Sequence, residues 1–573
     1  MQDRERIISC ILDENILDKE GLDNLLEQER STGENLVSLL KKGGLVSEER
    51  LARLVAVVSG VDFIELSAAA VDALTAHMIP LEMASENCVI PIRRQGSDLY
   101  VAMSSPLNLA VRDQIEARTG CNVIPQAASP SAITEAIRHH FSVQNTTRQT
   151  IASMRLKADT LRDGGPAARF KNKPDRIADA PITRLVSSII TGAIDARASD
   201  VHIEPQETDV RVRYRVDGIL QEAVDVPASA RQELIGHIKI LAEMDIAERR
   251  RPQDGHLTFE HMDREYDLRV SSLPTVGGEK VVIRILDKSA NKWVFDKIVP
   301  PGPDNHKLKS FLAAPHGMIL VTGPTGSGKT TTLYSALQVL NTPGRNIVTV
   351  EDPVEYCLDG INQVQVNPAA GLAFAAVLRS VLRQDPDVIL VGEIRDLETA
   401  EIAVSASLTG HLVLSTLHTN DAAGAITRLV NLGVQPFLVA SSVLGVVAQR
   451  LVRTICPTCR RPYNPSAEEL NILSGAGCEG VSELFRGGGC GGCRQSGYYG
   501  RKAVYEVLSI TPQIRRLITE GSGDETIRER AVAAGMKILY RSAVDEVVKG
   551  KTTIDEVERV IDIRAGCDAG ISV

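Results

Sequence analysis

The chain is 573 residues long, more than one hydrophobic core can organise, so roughly three to five folding units are expected. Aromatic residues make up only 3% and the formal net charge is -9; both weigh against a dedicated nucleic-acid binder, which stacks bases on aromatic rings and presents a basic face. The opening residues, Met1-Gln2-Asp3-Arg4-Glu5-Arg6, lack the basic-then-apolar order of a signal peptide, and the longest weakly polar run, 437–448, is far short of the ~20 residues that span a bilayer, so a cytosolic protein is expected.

In chain order, residues 1–60 predict a helical subdomain, with Ile7, Ile8, Ile11 and Leu12, then Leu22, Leu25 and Leu26, then Leu36, Leu39 and Leu40 at helical spacing. A last helix follows the start signal Ser47-Glu48-Glu49. Residues 61–141 read as a small α/β subdomain with strands at 88–93 and 99–103 and helices at 109–119 and 131–141. The polar stretch 142–175 buries little and predicts a linker. Residues 176–290 predict an α+β domain: Ile182, Leu185, Val186, Ile189, Ile190 and Ala193 mark one helix face, 210–216 alternates apolar with basic residues, and strands recur at 256–260, 266–270 and 281–286. Val299-Pro300-Pro301-Gly302-Pro303 is a candidate hinge.

The strongest chemical signal is Gly323-Pro324-Thr325-Gly326-Ser327-Gly328-Lys329-Thr330, preceded by the apolar run 317–322 and followed by a helical pattern from Thr331. Glycines at these positions free successive backbone N–H groups to point into one concavity and hold phosphate oxygens; Lys329 reaches the terminal phosphates, and the Thr330 hydroxyl ligates Mg²⁺. Three further apolar strands end in charged residues: 346–350 before Glu351-Asp352-Pro353-Val354-Glu355, 388–391 before Gly392-Glu393, and 412–416, bracketed by His411 and His418. In a parallel sheet the carboxyl ends of strands line one ligand crevice, so these groups are expected to converge on the phosphate loop.

A second signal is Cys456-Pro457-Thr458-Cys459 with Cys490-Gly491-Gly492-Cys493, two Cys-x-x-Cys knuckles suited to a four-thiolate zinc site, with Cys478 outside them. Glycines at 487–489 and 491–492 are expected to aim N–H groups at the thiolates. From Arg501 to the end, apolar spacing predicts helices, including Ile514, Leu517 and Ile518, then Leu539, Ala543 and Val547.

These motifs, with 249–255, Leu273-Pro274-Thr275 and Gly278-Glu279-Lys280, resemble the assembly ATPases of type II secretion and type IV pili, the GspE/PilB family, across most of the chain from about 178. Glu351–Glu355 is similar to the family's aspartate box, the segment around Glu393 to its Walker B, and 409–420 to its histidine box. The resemblance implies an α/β multidomain fold: a RecA-like P-loop NTPase domain (291–453) preceded by the α+β domain, with the small N-terminal subdomains, a zinc-binding tetracysteine insertion (454–500) and a C-terminal helical bundle (501–573). It also implies roles. Residues 323–331, Thr331 included, hold ATP; Glu393 supports Mg²⁺ through water; Glu355 orients or deprotonates the attacking water, with Glu351 in reserve. His418 and His411 reach the γ-phosphate, as do Arg269 and Arg284 from the preceding domain, and Arg379 and Arg383 are further candidates.

By the same resemblance, the protein forms a ring, a hexamer, and works with platform and anchoring proteins at the inner membrane, peripherally associated from the cytoplasmic side. Some members bind cyclic di-GMP through Arg-Leu-Gly repeats. Here Ser31-Thr32-Gly33 stands where one triplet is expected and none precedes Ile11, so docking to a membrane-anchored partner is the expected role of the N-terminal region, not dinucleotide binding. The expected function is ATP hydrolysis that extrudes pseudopilins in type II secretion, with pilus assembly as the alternative. A non-hydrolysing regulatory scaffold and a DNA-translocating ring are the competing classes; the acidic balance and the zinc knuckles weigh against the second.

Overall fold

The computed structural model describes residues 48–66, 71–76, 78–79, 81–140, 181–262, 264–287 and 293–561. The helices expected before residue 48, Ser31-Thr32-Gly33 and the linker 142–175 lie outside these residues. The chain divides into two units, Met1–Asp287 and Lys288–Val573.

In the first unit, the helix Glu48–Ser59 carries Glu48 and Glu49 in its first described turn. β1 (Val89–Gln95), β2 (Asp98–Met103) and β3 (Asn122–Ala127) form a sheet in that order, with β1 antiparallel and β3 parallel to β2. The parallel step is made by the helix Leu109–Thr119, capped by the Asn108 side chain on the Val111 N–H and stopped at Gly120, whose φ of 65° a side chain would resist. The helix Pro181–Asp195 then buries Leu185, Val186, Ile189, Ile190 and Ala193, the face its sequence marks. It packs on an antiparallel sheet of β4 (Ala198–Pro205), β5 (Asp209–Val216), β6 (Ile219–Pro227), β7 (Gln253–His261), β8 (Arg264–Thr275) and β9 (Gly278–Asp287), in the order β6-β5-β4-β9-β8-β7. β5 alternates strictly between buried and half-buried positions: the valines and Tyr214 face the core, and the arginines face out.

The second unit is built on a seven-stranded sheet of β10 (Gly317–Thr322), β11 (Ile347–Glu351), β12 (Asn362–Gln365), β13 (Val388–Val391), β14 (Leu412–Leu417), β15 (Val443–Ile455) and β18 (Tyr498–Ser509); β16 (Arg460–Tyr463) and β17 (Leu484–Gly487) form a separate hairpin. The order is β12-β11-β13-β14-β10-β15-β18, all parallel except β18. β10, β13 and β14 are buried along their whole length, as continuous apolar runs in a covered parallel sheet must be. Their side chains feed two cores, one containing Leu378, Val404 and Leu429, the other Phe311, Leu333 and Leu337. The phosphate-loop strand β10 lies between β14 and β15, so its carboxyl end opens near the middle of the crevice edge.

One element differs from expectation. The helical pattern expected from Arg501 starts only at Pro512; before it, β18 pairs antiparallel with β15. Glu506 interrupts the apolar run of β18 and hides its strand character, yet this carboxylate is buried. It accepts the N–H of Ala422 at 2.8 Å and of Leu539 at 2.9 Å, the first residues of two helices. The charge is thus placed against helix N-termini rather than solvent.

Candidate functional site

The chain leaves β10 at Thr322 and turns through the phosphate loop into the helix Lys329–Leu340. Gly323 and Gly328 are required here: their φ values are 148° and 86°, and a Cβ on Gly323 would lie 2.5 Å from the Gln449 carbonyl oxygen. The Ser327 hydroxyl is buried with no hydrogen-bond partner, an orphaned polar atom inside a loop whose composition suits phosphate. The Lys329 ammonium donates to the carbonyls of Gly323 at 2.8 Å and Pro324 at 3.0 Å. Burial pulls its pKa down to about 8, against the opposing pull of the Glu393 carboxylate. Thr330, next in the first helical turn, is exposed, and Thr331 is half-buried.

The neighbouring strands deliver their charged ends to the same edge. Glu393 follows β13; its carboxylate pairs with Arg395 and lies 3.4 Å from His418 Nε2, which follows β14. Lys329, Glu393 and His418 therefore form one electrostatic group. Glu351, at the end of β11, is buried and committed: it accepts from the Tyr334 hydroxyl, from Thr349 Oγ1 at 2.6 Å and from Gln363 Nε2 at 3.1 Å. Glu355 stands half-buried in the loop beyond. A structural anchor and a more accessible carboxylate four residues apart have different jobs, and the accessible one suits water.

Other expected residues stand elsewhere. His411 is at the amino end of β14, where its Nδ1 lies 3.0 Å from the Ala406 carbonyl. A six-residue strand separates it from His418, about 20 Å along the chain, so His411 belongs to the opposite edge of the sheet. Arg379 pairs with Glu398, and Arg383 donates to the Arg379 carbonyl at 2.9 Å, both exposed. Arg269 and Arg284 belong to the first unit, where Arg284 Nε lies 3.1 Å from Asp200 Oδ1.

Three residues that hold the site were not singled out from sequence. Gln449, 1% exposed on β15, donates to the Ser327 carbonyl at 2.9 Å and accepts from Thr332 Oγ1 at 2.8 Å, fixing both the loop and the helix it opens. Thr322 shares a 2.7 Å hydroxyl contact with Thr419 and accepts the Thr419 N–H at 2.8 Å, binding the start of the phosphate loop to the segment after His418. Arg450, next to Gln449, donates to Asn420 at 3.1 Å and keeps a buried Nη1 without a partner. A glutamine or arginine in an apolar strand was the only available signal.

The cysteines form the second candidate centre. All four Sγ atoms lie within 4.8 Å of one another, at 3.8 Å for Cys456–Cys490 and Cys459–Cys493 and 3.6 Å for Cys490–Cys493. Four thiolates at ~2.3 Å from a tetrahedral zinc ion stand about 3.8 Å apart, so the donor set fits that ion. Burial pushes the Cys493 thiol up, but N–H groups of Cys490 at 3.1 Å and Gly497 at 3.3 Å outweigh it and bring the pKa to about 7. Of these two N–H groups, that of Cys490 lies between the expected glycine runs and that of Gly497 beyond them. Gly487 and Gly497 make this possible by close approach: a Cβ on Gly487 would lie 2.0 Å from the Gly497 oxygen. Cys478 packs in a separate apolar cluster.

A glycine-rich phosphate loop on a central parallel strand, with acids and a histidine at adjoining strand ends, defines a P-loop nucleotide-binding protein of mixed α/β, multidomain build. The chain belongs to the type II/IV secretion system protein family, whose model matches residues 175–559; the MshEN domain model matches 59–147. It is 41% identical over 562 residues to the type IV pilus assembly ATPase PilB of Myxococcus xanthus, covering 96% of this chain and 98% of that protein. It is 44% identical over 480 residues to type II secretion system protein E of Pseudomonas aeruginosa, covering 82% and 94%. Among solved structures, the ATPase DotB of Yersinia pseudotuberculosis shares the fold at 19% identity and a TM-score of 0.50, over 65% of this chain and 92% of that one. No described helix is long and apolar enough to cross a membrane.

Proposed function

We propose that this protein is a magnesium-dependent ATP hydrolase that powers extrusion of pseudopilin subunits in type II protein secretion. The observation that carries the reading is that the phosphate loop, Glu393 and His418 follow adjoining parallel strands, with Glu355 in the loop after a third. Residues 323–331 cradle the phosphates of ATP, with Lys329 pairing the terminal groups. Thr330 and Glu393 offer the hydroxyl and carboxylate oxygens that suit Mg²⁺. When bound, that ion neutralises charge on the β- and γ-oxygens. Glu355 holds the attacking water in line and takes its proton as the bond from the γ-phosphorus to the β–γ bridging oxygen breaks. His418, through Glu393, registers whether the γ-phosphate is present.

Arg269 and Arg284 supply further positive charge to the γ-phosphate when copies of the chain assemble into a hexameric ring, and residues 176–290 move against the RecA-like domain, 291–453, as the nucleotide turns over. The four thiolates of 454–500 hold a structural zinc ion, which supplies a closed crosslink between the two knuckles. The protein works in the cytoplasm, docked on the inner-membrane platform through protein partners. Assembly of type IV pili is the second reading, favoured by the full-length similarity to the protein named PilB. Complementation of a null strain separates them: the parent chain restores secretion of folded exoproteins and Lys329→Ala does not. Restoration of pili with secretion unaffected would instead assign the chain to the pilus.

A further inference from the structure

We propose that Tyr334 is a positioning residue for hydrolysis, whose buried hydroxyl ties the loop carrying Glu355 to the helix that begins at the phosphate-binding Lys329. Tyr334 is fully buried and lies about one and a half turns beyond Lys329 on the helix Lys329–Leu340. Its hydroxyl donates to Glu351 and faces the backbone N–H groups of Glu355 and Tyr356, and its ring packs edge-on against Tyr356. It therefore joins three segments: the phosphate-loop helix, the end of β11 and the loop 352–361.

That loop relies on side chains to satisfy its amides. Gln365 takes the Val354 N–H at 3.3 Å, Gln363 takes the Leu358 N–H at 2.6 Å, and the Tyr334 hydroxyl faces the N–H groups of Glu355 and Tyr356 between them. Gln363 and Gln365 both stand on β12 at the sheet edge, so Tyr334 is the contact that connects Glu355 to the nucleotide side. The ring itself is locked by edge contacts with Trp293 at 6.1 Å and Tyr356 at 6.5 Å between centroids. Packing alone would be served equally well by phenylalanine; only the hydroxyl can bond Glu351 and face the amide of Glu355.

The consequence is mechanical. A shift of the helix on phosphate binding is passed to the backbone of Glu355 through one oxygen atom, so the carboxylate is aligned when the loop is filled. Orientation of a nucleophile is sensitive at this scale, since a misplacement of ~1 Å lowers rates about 100-fold. This inference rests on the assignment of Glu355 as the water-orienting carboxylate.

The test is a double-mutant cycle on steady-state ATP hydrolysis by the full chain. Tyr334→Phe is expected to lower kcat roughly 10- to 100-fold with KM for ATP within about twofold, and to add little to Glu355→Gln in the double variant, because both act on one water. Unchanged kcat, a loss expressed in KM, or losses that multiply would overturn the proposal. A Glu355→Gln variant with parental kcat would instead refute the assignment of Glu355. Amide hydrogen exchange of the unmodified protein provides a measurement independent of whether the variant folds. Glu355 and Tyr356 amides are expected to exchange slowly and to slow further with ADP and magnesium, and rapid exchange at both contradicts the tether.

Discussion

Arg269 and Arg284 stand directly opposite each other in the register of β8 and β9. Like charges at facing positions destabilise a sheet pair, and Asp200 lies 3.1 Å from Arg284 Nε. Two guanidinium groups on one face of the sheet suit an anion brought from elsewhere. Arg284→Ala is expected to lower kcat for ATP by at least about 10³-fold, the scale of an arginine acting on a transferring phosphoryl group, while the melting temperature holds or rises. Parallel measurements of turnover and thermal unfolding check both halves; an unchanged kcat rejects the role.

Nucleotide affinity should depend on pH through Lys329. Its folded pKa of about 8 lies below the ordinary lysine value because burial disfavours the ammonium. The charged form that pairs with phosphate is thus present below pH 8 and is lost as pH rises through it. Titration of ADP between pH 7 and 9.5 is expected to show weakening affinity and net proton uptake on binding above pH 8.

The four-cysteine cluster should hold one zinc ion per chain, measurable by elemental analysis of the purified protein. Cys456→Ser is expected to lose that ion and lower the melting temperature by several degrees. β15 runs straight into Cys456, so loosening the knuckles frees the end of a sheet strand.

Glu556 offers a stability test far from the chemistry. Fully buried, it accepts the Arg453 N–H at 2.9 Å and pairs with the guanidinium groups of Arg453 and Arg559, each at 2.7 Å. Burial pushes its pKa up, and these partners outweigh burial and set it below the ordinary glutamate value. A depressed folded pKa contributes stability above the unfolded value that is lost as pH falls through the folded one. Glu556→Ala is expected to cost about 3 kcal/mol at pH 7, read by denaturant unfolding, because the largely covered Arg453 loses its partner while Arg559 stays exposed to solvent, and the difference from the parent should shrink in acid.

Much of this was legible in the chain because the signals are local. Gly323 to Thr330 encodes its own turn, and the apolar runs 317–322, 388–391 and 412–416 match β10, β13 and β14 closely. The cysteine knuckles announced their cluster by spacing. What stayed hidden depends on partners distant in sequence. Gln449 is one polar residue in a strand until the fold sets it against Ser327, and Glu506 broke the pattern of β18 because its helix N-termini come from residues 422 and 539. His411 precedes β14 and His418 follows it, so although both bracket the strand, it carries them to opposite edges of the sheet.

The central claim is that the converged edge hydrolyses ATP rather than only binding it. Steady-state phosphate release by the full chain with magnesium and ATP, compared with Lys329→Ala at equal protein concentration, tests this most directly. The parent should turn over ATP and the variant should fall by at least about 100-fold, since removing one positioned charge from a developing phosphoryl transition state has that scale. Equal rates for the two proteins would contradict it.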